Sequence, residues 1–141
     1  MDREQEQIIR TAKDHGTPVI MIDSDTDPEG TIQISFDESD AFEQLVLHLV
    51  EHHHFTRINC IAGFRDNPIS EKRLAIFRRI LAEHGIPFHE DQLGYGNFYA
   101  EPTREVMNRF LQQTELPEAI VCINDSMAIT VCDILSENNI A

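Results

Sequence analysis

Ala119-Ile-Val-Cys-Ile-Asn-Asp-Ser-Met-Ala128 is an apolar run that stops at Asn124 and Asp125 and passes at once into a helical pattern. A strand buried on both faces reads this way, because a parallel sheet covered by helices leaves no solvent face to impose alternation. The tip of such a strand stands where α/β folds bind their ligands, outside the carboxyl ends of the sheet. Asn124 and Asp125 are therefore candidate ligand contacts. Asp125 also has the chemistry of an N-cap for a helix over residues 126–138.

The same alternation extends upstream. Residues 3–15 carry Ile8, Ile9 and Ala12 at helical spacing and stop at His15-Gly16-Thr17-Pro18, where glycine suits a left-handed cap and proline prevents continuation. Val19–Ile22 reads as a buried strand and Thr31–Phe36 as an alternating one, separated by the loop Asp23–Gly30. Residues 38–52 place Phe42, Leu45, Val46, Leu49 and Val50 on one helical stripe. A strand over Ile58–Ala62 ends at Gly63, and Pro68-Ile69-Ser70 opens the next helix, with Ser70 as its N-cap and Ile69 and Leu74 as a hydrophobic staple. That helix ends at His84-Gly85-Ile86-Pro87, an echo of residues 15–18. A short strand near Phe88, a loop through Gly94–Phe98, a helix near 102–113 and the strand at 119–123 complete the pattern. Strands alternating with helices of this length give an α/β fold, with a parallel sheet flanked by helices.

Composition narrows the function. The 141 residues hold 25 acidic and 11 basic side chains, a formal charge of -14, and the only lysines are Lys13 and Lys72. Phosphate contacts need clustered cations, so this segment itself is not expected to bind nucleic acid. No apolar run is long enough to span a bilayer, and the acidic N-terminus is unlike a signal peptide. Cys60, Cys122 and Cys132 have no paired-ligand spacing and read as free thiols of a cytoplasmic protein.

From Phe36 to Ala141 the order of features resembles the ligand-binding core of the LacI/GalR family, whose fold is periplasmic-binding-protein-like (type I). The matching pieces are Asp37 and the helix reaching His48-Leu49, Ile61-Ala62-Gly63, Ser70-x-x-Arg73, Gly96-Asn97-Phe98 and the run from Ala119 to Ala128. Upstream, the helix–glycine–proline–strand unit ending Val19-Ile-Met-Ile-Asp23 also fits. Such cores run to about 270 residues, two domains' worth. The chain thus resembles a truncated core: residues 1–36 a remnant of the first lobe, and 37–141 a second lobe incomplete at its C-terminus. It departs from the family at Ile76 and Thr130, where glycine is usual, and at His52-His53-His54, which replaces a Gly-His helix end and adds one residue before Ile58.

The resemblance implies a sensor that binds a sugar, nucleoside or similar polar metabolite between two lobes and needs no cofactor. It implies roles residue by residue. Asp23 resembles an acceptor for ligand hydroxyls, and Arg73, in the first turn of its helix, a forked donor. Phe98 resembles an aromatic platform, and Asn124 and Asp125 an amide and a carboxylate reading polar groups. Two parents are consistent with it: a LacI/GalR-like transcriptional regulator, or the sensor of a bacterial signalling protein such as a GGDEF diguanylate cyclase, to which Phe64–Ser70 and Tyr95–Phe98 are similar. Strands 19–22 and 31–35, short of their sheet, are expected to pair with the remaining sheet or with a second copy of the chain, as a homodimer.

Catalytic readings fare worse. Asp23-Ser-Asp25-Thr-Asp27 resembles the first motif of haloacid-dehalogenase-type phosphotransferases, but the fifth position wants Thr or Val and no Gly-Asp-x-x-x-Asp follows. As a calcium loop it lacks the glycine and glutamate at positions held by Pro28 and Ile34. His48 and His52 lie one helical turn apart, but without a third helical ligand the run through His54 reads as a solvated helix end, favourable to the dipole, and no metal is expected. No nucleophile triad or glycine-rich phosphate loop is visible, so no enzyme is expected.

Overall fold

The computed structural model describes residues 3–22, 26, 28–34 and 36–140. Helix α1 (Arg3–Asp14) is followed by the strands β1 (Ile20–Ile22) and β2 (Ile32–Ile34), and then α2 (Ser39–Leu47) runs on into a π-helical turn, His48–His52. After it come β3 (Ile58–Ala62), α3 (Pro68–Glu83), a 3-10 turn at Glu90–Gln92, β4 (Leu93–Tyr95), α4 (Ala100–Phe110), β5 (Ala119–Cys122) and α5 (Asp125–Glu137). The chain divides into two compact units, residues 1–38 and 39–141.

In the first unit β1 and β2 pair in parallel, Ile20 opposite Ile32 and Ile22 opposite Ile34. Among the described residues these strands make a two-stranded sheet of their own, whereas the sequence suggested pairing with the remaining sheet or with a second copy of the chain. α1 ends as its glycine and proline foretell. Gly16 takes a φ of +69°, Thr17 N–H reaches Ala12 O at 2.9 Å, and Gly16 N–H reaches Lys13 O at 2.9 Å.

In the second unit the sheet order is β4-β3-β5, all parallel. β3 lies in the middle with every residue buried, which is why its sequence does not alternate, and its one polar residue, Asn59, donates its amide to Gln113 Oε1 at 3.0 Å. Helices pair as α2 with α3 and α4 with α5. Phe77, Ile80, Leu81, Met107, Phe110 and Met127 are sealed between them and the sheet. The α2 stripe is narrower than its periodicity suggested: Phe42, Val46 and Val50 are buried, whereas Leu45 is 50% exposed.

Three local readings are corrected. The N-cap of α3 is Asn67, whose side chain accepts from Ser70 N–H at 3.0 Å, with Pro68 at the first helical position. That shift removes the Ile69–Leu74 staple and frees the Ser70 hydroxyl, fully buried, to accept from Gly63 N–H at 3.0 Å. The N-cap of α5 is Asn124 rather than Asp125, accepting from Met127 N–H at 3.0 Å. The strand expected near Phe88 lies at Leu93–Tyr95 instead, in register with Cys60–Ala62. Its glycine hid it: Gly94 is there because a Cβ would come 2.1 Å from Val106, so α4 packs directly on the backbone.

Candidate functional site

The carboxyl ends of β3, β4 and β5 bring together Gly63, the Gly96–Tyr99 turn and Ile123–Asp125. The turn is anchored by Gly96 N–H to Ala62 O at 2.8 Å and closed by Tyr99 N–H to Gly96 O at 2.9 Å. Within it Asn97 and Phe98 both adopt left-handed backbone, with φ of +51° and +64°. Asparagine tolerates this region, but for a bulky residue it is an outlier, at a cost of about 1–3 kcal/mol that the surroundings must offset.

What offsets it is packing on both sides of Phe98. A Cβ on Gly63 would stand 2.2 Å from the Phe98 ring, so the ring rests on bare backbone at the end of β3. Phe64 meets that ring edge to face at 5.8 Å, and Tyr99 lies 6.1 Å from Phe64. Phe64 is 44% and Tyr99 63% exposed, so these rings leave an aromatic wall open to solvent. On the main-chain side, the Asn124 amide donates to Phe98 O at 3.4 Å while its oxygen caps α5.

Arg73 joins the same constellation. With the cap at Asn67 it sits in the second turn of α3, not the first. Its guanidinium donates to the Ile123 carbonyl, one residue before Asn124, and lies 6.0 Å from the Phe42 ring. The fork has five donors in one plane, so one anchored edge fixes the orientation of the rest. Asp125 is exposed in the first turn of α5, where its carboxylate suits the dipole.

Arg73, Phe98 and Asn124 are thus linked through the Ile123 and Phe98 carbonyls, with Asp125 adjoining along the chain. Asp23 lies outside the described residues, as do Asp25 and Asp27 of the phosphotransferase-like run. Phe64 and Tyr99 were missed as candidates. Phe64 had a signal, an aromatic side chain directly after the glycine of a strand end. Tyr99 had none until the turn at Gly96 was known.

The arrangement suits recognition more than covalent chemistry. A cationic fork, a ring face, an amide and a carboxylate are groups that orient a polar ring-bearing molecule. Cys60 and Cys122 are poorly placed as nucleophiles: burial raises Cys60, and Cys122 is pushed up to about 12 by burial and then by Cys132. Among the described residues no three His, Cys, Asp or Glu side chains form a metal cage, and no helix is long and apolar enough to cross a membrane.

Residues 1–140 match the family described as periplasmic binding proteins and the sugar-binding domain of the LacI family. A repressor of Vibrio parahaemolyticus, the HTH-type transcriptional repressor PurR, is 32% identical over 93 residues, 66% of this chain and 28% of that protein. The PurR of Aliivibrio salmonicida is 26% identical over 128 residues, 91% of this chain and 38% of its own. Among solved structures, a sugar-binding LacI-family regulator from Enterococcus faecalis superposes with a TM-score of 0.77 at 23% identity, covering 96% of this chain and 50% of that one. A LacI-family regulator from Escherichia coli, solved with phosphate, gives 0.73 at 24% identity over 96% and 49%. The chain therefore spans about half the length of these structures and less of the curated repressors. None of these relatives supports the diguanylate cyclase reading. A parallel sheet flanked by helices and a family match running nearly end to end have one explanation: this chain belongs to the LacI-type periplasmic-binding-protein family.

Proposed function

We infer that the chain is effector-binding material of a LacI/GalR-like transcriptional regulator, a non-catalytic sensor for a sugar, nucleoside or similar small polar metabolite. The observation that carries this is the linkage of Arg73, Phe98 and Asn124 at the strand tips, with the Phe98 backbone held in a costly conformation that a purely structural turn does not need. In this reading Phe98 meets a ring face, Arg73 forks onto a hydroxyl, carboxylate or phosphate oxygen, and Asn124 and Asp125 read the remaining polar groups. Asp23 accepts from ligand hydroxyls. Residues 1–36 correspond to first-lobe material and 37–141 to second-lobe material.

The regulator reading draws support from the repressors named above, whose DNA-binding function would belong to a part other than this acidic segment. The protein would then act in the cytoplasm, where its thiols stay reduced. The test is calorimetric titration of the 141-residue chain with hypoxanthine, guanine, inosine, ribose and galactose. One of these should bind saturably, and Arg73→Ala and Phe98→Ala should each weaken it by about 2 kcal/mol or more with the circular dichroism unchanged. Binding that survives both substitutions would remove these residues from the site.

A further inference from the structure

The end of α2 was read from sequence as a solvated run of histidines lacking a third helical ligand. The fold supplies another imidazole by changing the helix. Between His48 and His52 the backbone widens into a π turn, and His53 N–H bonds His48 O at 3.2 Å, an i to i+5 step. A single π turn takes up one extra residue without breaking the helix, and such turns gather at functional sites. In an α-helix His52 alone would stand over His48, whereas the π turn brings His53 there as well.

Three rings converge in consequence. His48 stacks on His52 at 4.9 Å, and His53 meets His48 at 4.7 Å and His52 at 5.1 Å, both edge to face. Each key ring is steadied from behind, His48 by the His52 stack and His53 by a parallel stack on Phe55 at 5.1 Å. The two front nitrogens, His48 Nε2 and His53 Nε2, are 3.0 Å apart. Two imidazole nitrogens each about 2.0–2.1 Å from one ion, in adjacent positions at a right angle, stand about 2.9 Å apart. A tetrahedral ion would ask for a wider bite.

We propose that His48 and His53 form a two-imidazole site for a divalent transition cation of square-planar or octahedral preference, of the Cu2+ and Ni2+ class. Without the ion, one ring donates its Nε2 proton to the other. Binding shifts that proton to Nδ1 of the same ring, so both Nε2 lone pairs reach the metal, and slight ring rotation aims them at a common point. Glu51, the nearest carboxylate along the turn, is engaged with His84 at 3.2 Å, so water completes the coordination. The formal charge of -14 raises the local cation concentration around the molecule.

The site is independent of the effector reading, and its test uses Ni2+ alone on the intact chain in imidazole-free buffer. Calorimetry should find one saturable equivalent. Paramagnetic broadening should strike His48, His53 and the adjoining His52 ring first, and His89 only at large excess. His48→Ala and His53→Ala should each abolish saturable binding, and Phe55→Leu should weaken it severalfold by releasing the His53 ring. His89→Ala, with an imidazole elsewhere on the surface, should bind as the parent does. Circular dichroism of each variant separates loss of a ligand from loss of the helix. Uniform broadening of all seven histidines, or unchanged binding in His53→Ala, would mean adventitious surface binding only and would overturn the proposal.

Discussion

Asn124 shows how one side chain can serve two neighbours at a strand tip. Its carbonyl oxygen caps α5 through Met127 N–H, and its amide nitrogen reaches the Phe98 carbonyl beneath the candidate ligand platform. Asp125, one residue on, makes only the weaker dipole contribution expected of an exposed first-turn carboxylate. Asn124→Ala should therefore cost about 1 kcal/mol or more in urea denaturation, and Asp125→Ala less than half as much. If Asp125→Ala proves the costlier, the cap assignment fails. Sequence placed both residues at the edge of the sheet but not their division of labour, because asparagine and aspartate are equally good caps and only the helix start decides between them. Arg73 was legible as a candidate in the same limited way. Its bond to the Ile123 carbonyl links elements fifty residues apart, which no local pattern encodes.

At the scale of elements, helix ends were the more legible feature. α1 and α3 stop with the same device, because each has histidine, glycine and a proline in the same order. Gly16 and Gly85 take φ of +69° and +67°, and Thr17 and Ile86 N–H reach back to Ala12 and Leu81 at 2.9 Å. Both histidines also turn Nδ1 onto the carbonyl four residues back, Thr11 and Ile80, at 2.8 Å. α5 ends likewise, with Asn139 at φ +56° in the glycine's place, and there the sequence was silent because asparagine is a commoner sight in loops. His84 differs in having a partner. The Ile80 carbonyl first and the Glu51 carboxylate second raise its pKa above the ordinary 6.5. The imidazolium is thus favoured in the folded state, so the contribution to stability is full below 6.5 and is lost as pH rises through the higher folded value. An NMR titration should place the His84 midpoint above 6.5, and Glu51→Gln should lower it without abolishing the shift, since the Ile80 carbonyl remains. A midpoint at or below the ordinary value would refute the pairing. The π turn after α2 was not legible, because a 3.6-residue template fits its apolar positions equally well.

At the scale of the molecule, the sheet of the second unit satisfies its own apolar demand and that of the first unit does not. β3 is sealed by helices, whereas Ile20, Ile22, Ile32 and Ile34 stand 56%, 64%, 56% and 41% exposed. Period-two geometry explains why these four go together: Ile20 and Ile22 flank Met21 on one face, and the parallel register sets Ile32 and Ile34 beside them. Sequence foresaw that these strands would lack cover but not that they would pair with each other. Parallel strands rich in β-branched residues are ordinarily covered on both faces, and an open apolar ribbon of this kind favours association. We propose that two copies of the chain meet through this isoleucine face, a self-complementary contact of the sort that twofold dimers use. Sedimentation velocity over a hundredfold range of concentration should then show a monomer passing to a dimer. The double substitution Ile22→Lys and Ile34→Lys should keep the chain monomeric, since four like charges cannot be brought together at a twofold contact without a large desolvation cost. The second unit provides the control, because its buried core is untouched by either substitution and its helical signal should not change. A parent chain that stays monomeric and fully folded at every concentration would show that the exposed isoleucines are tolerated as they stand.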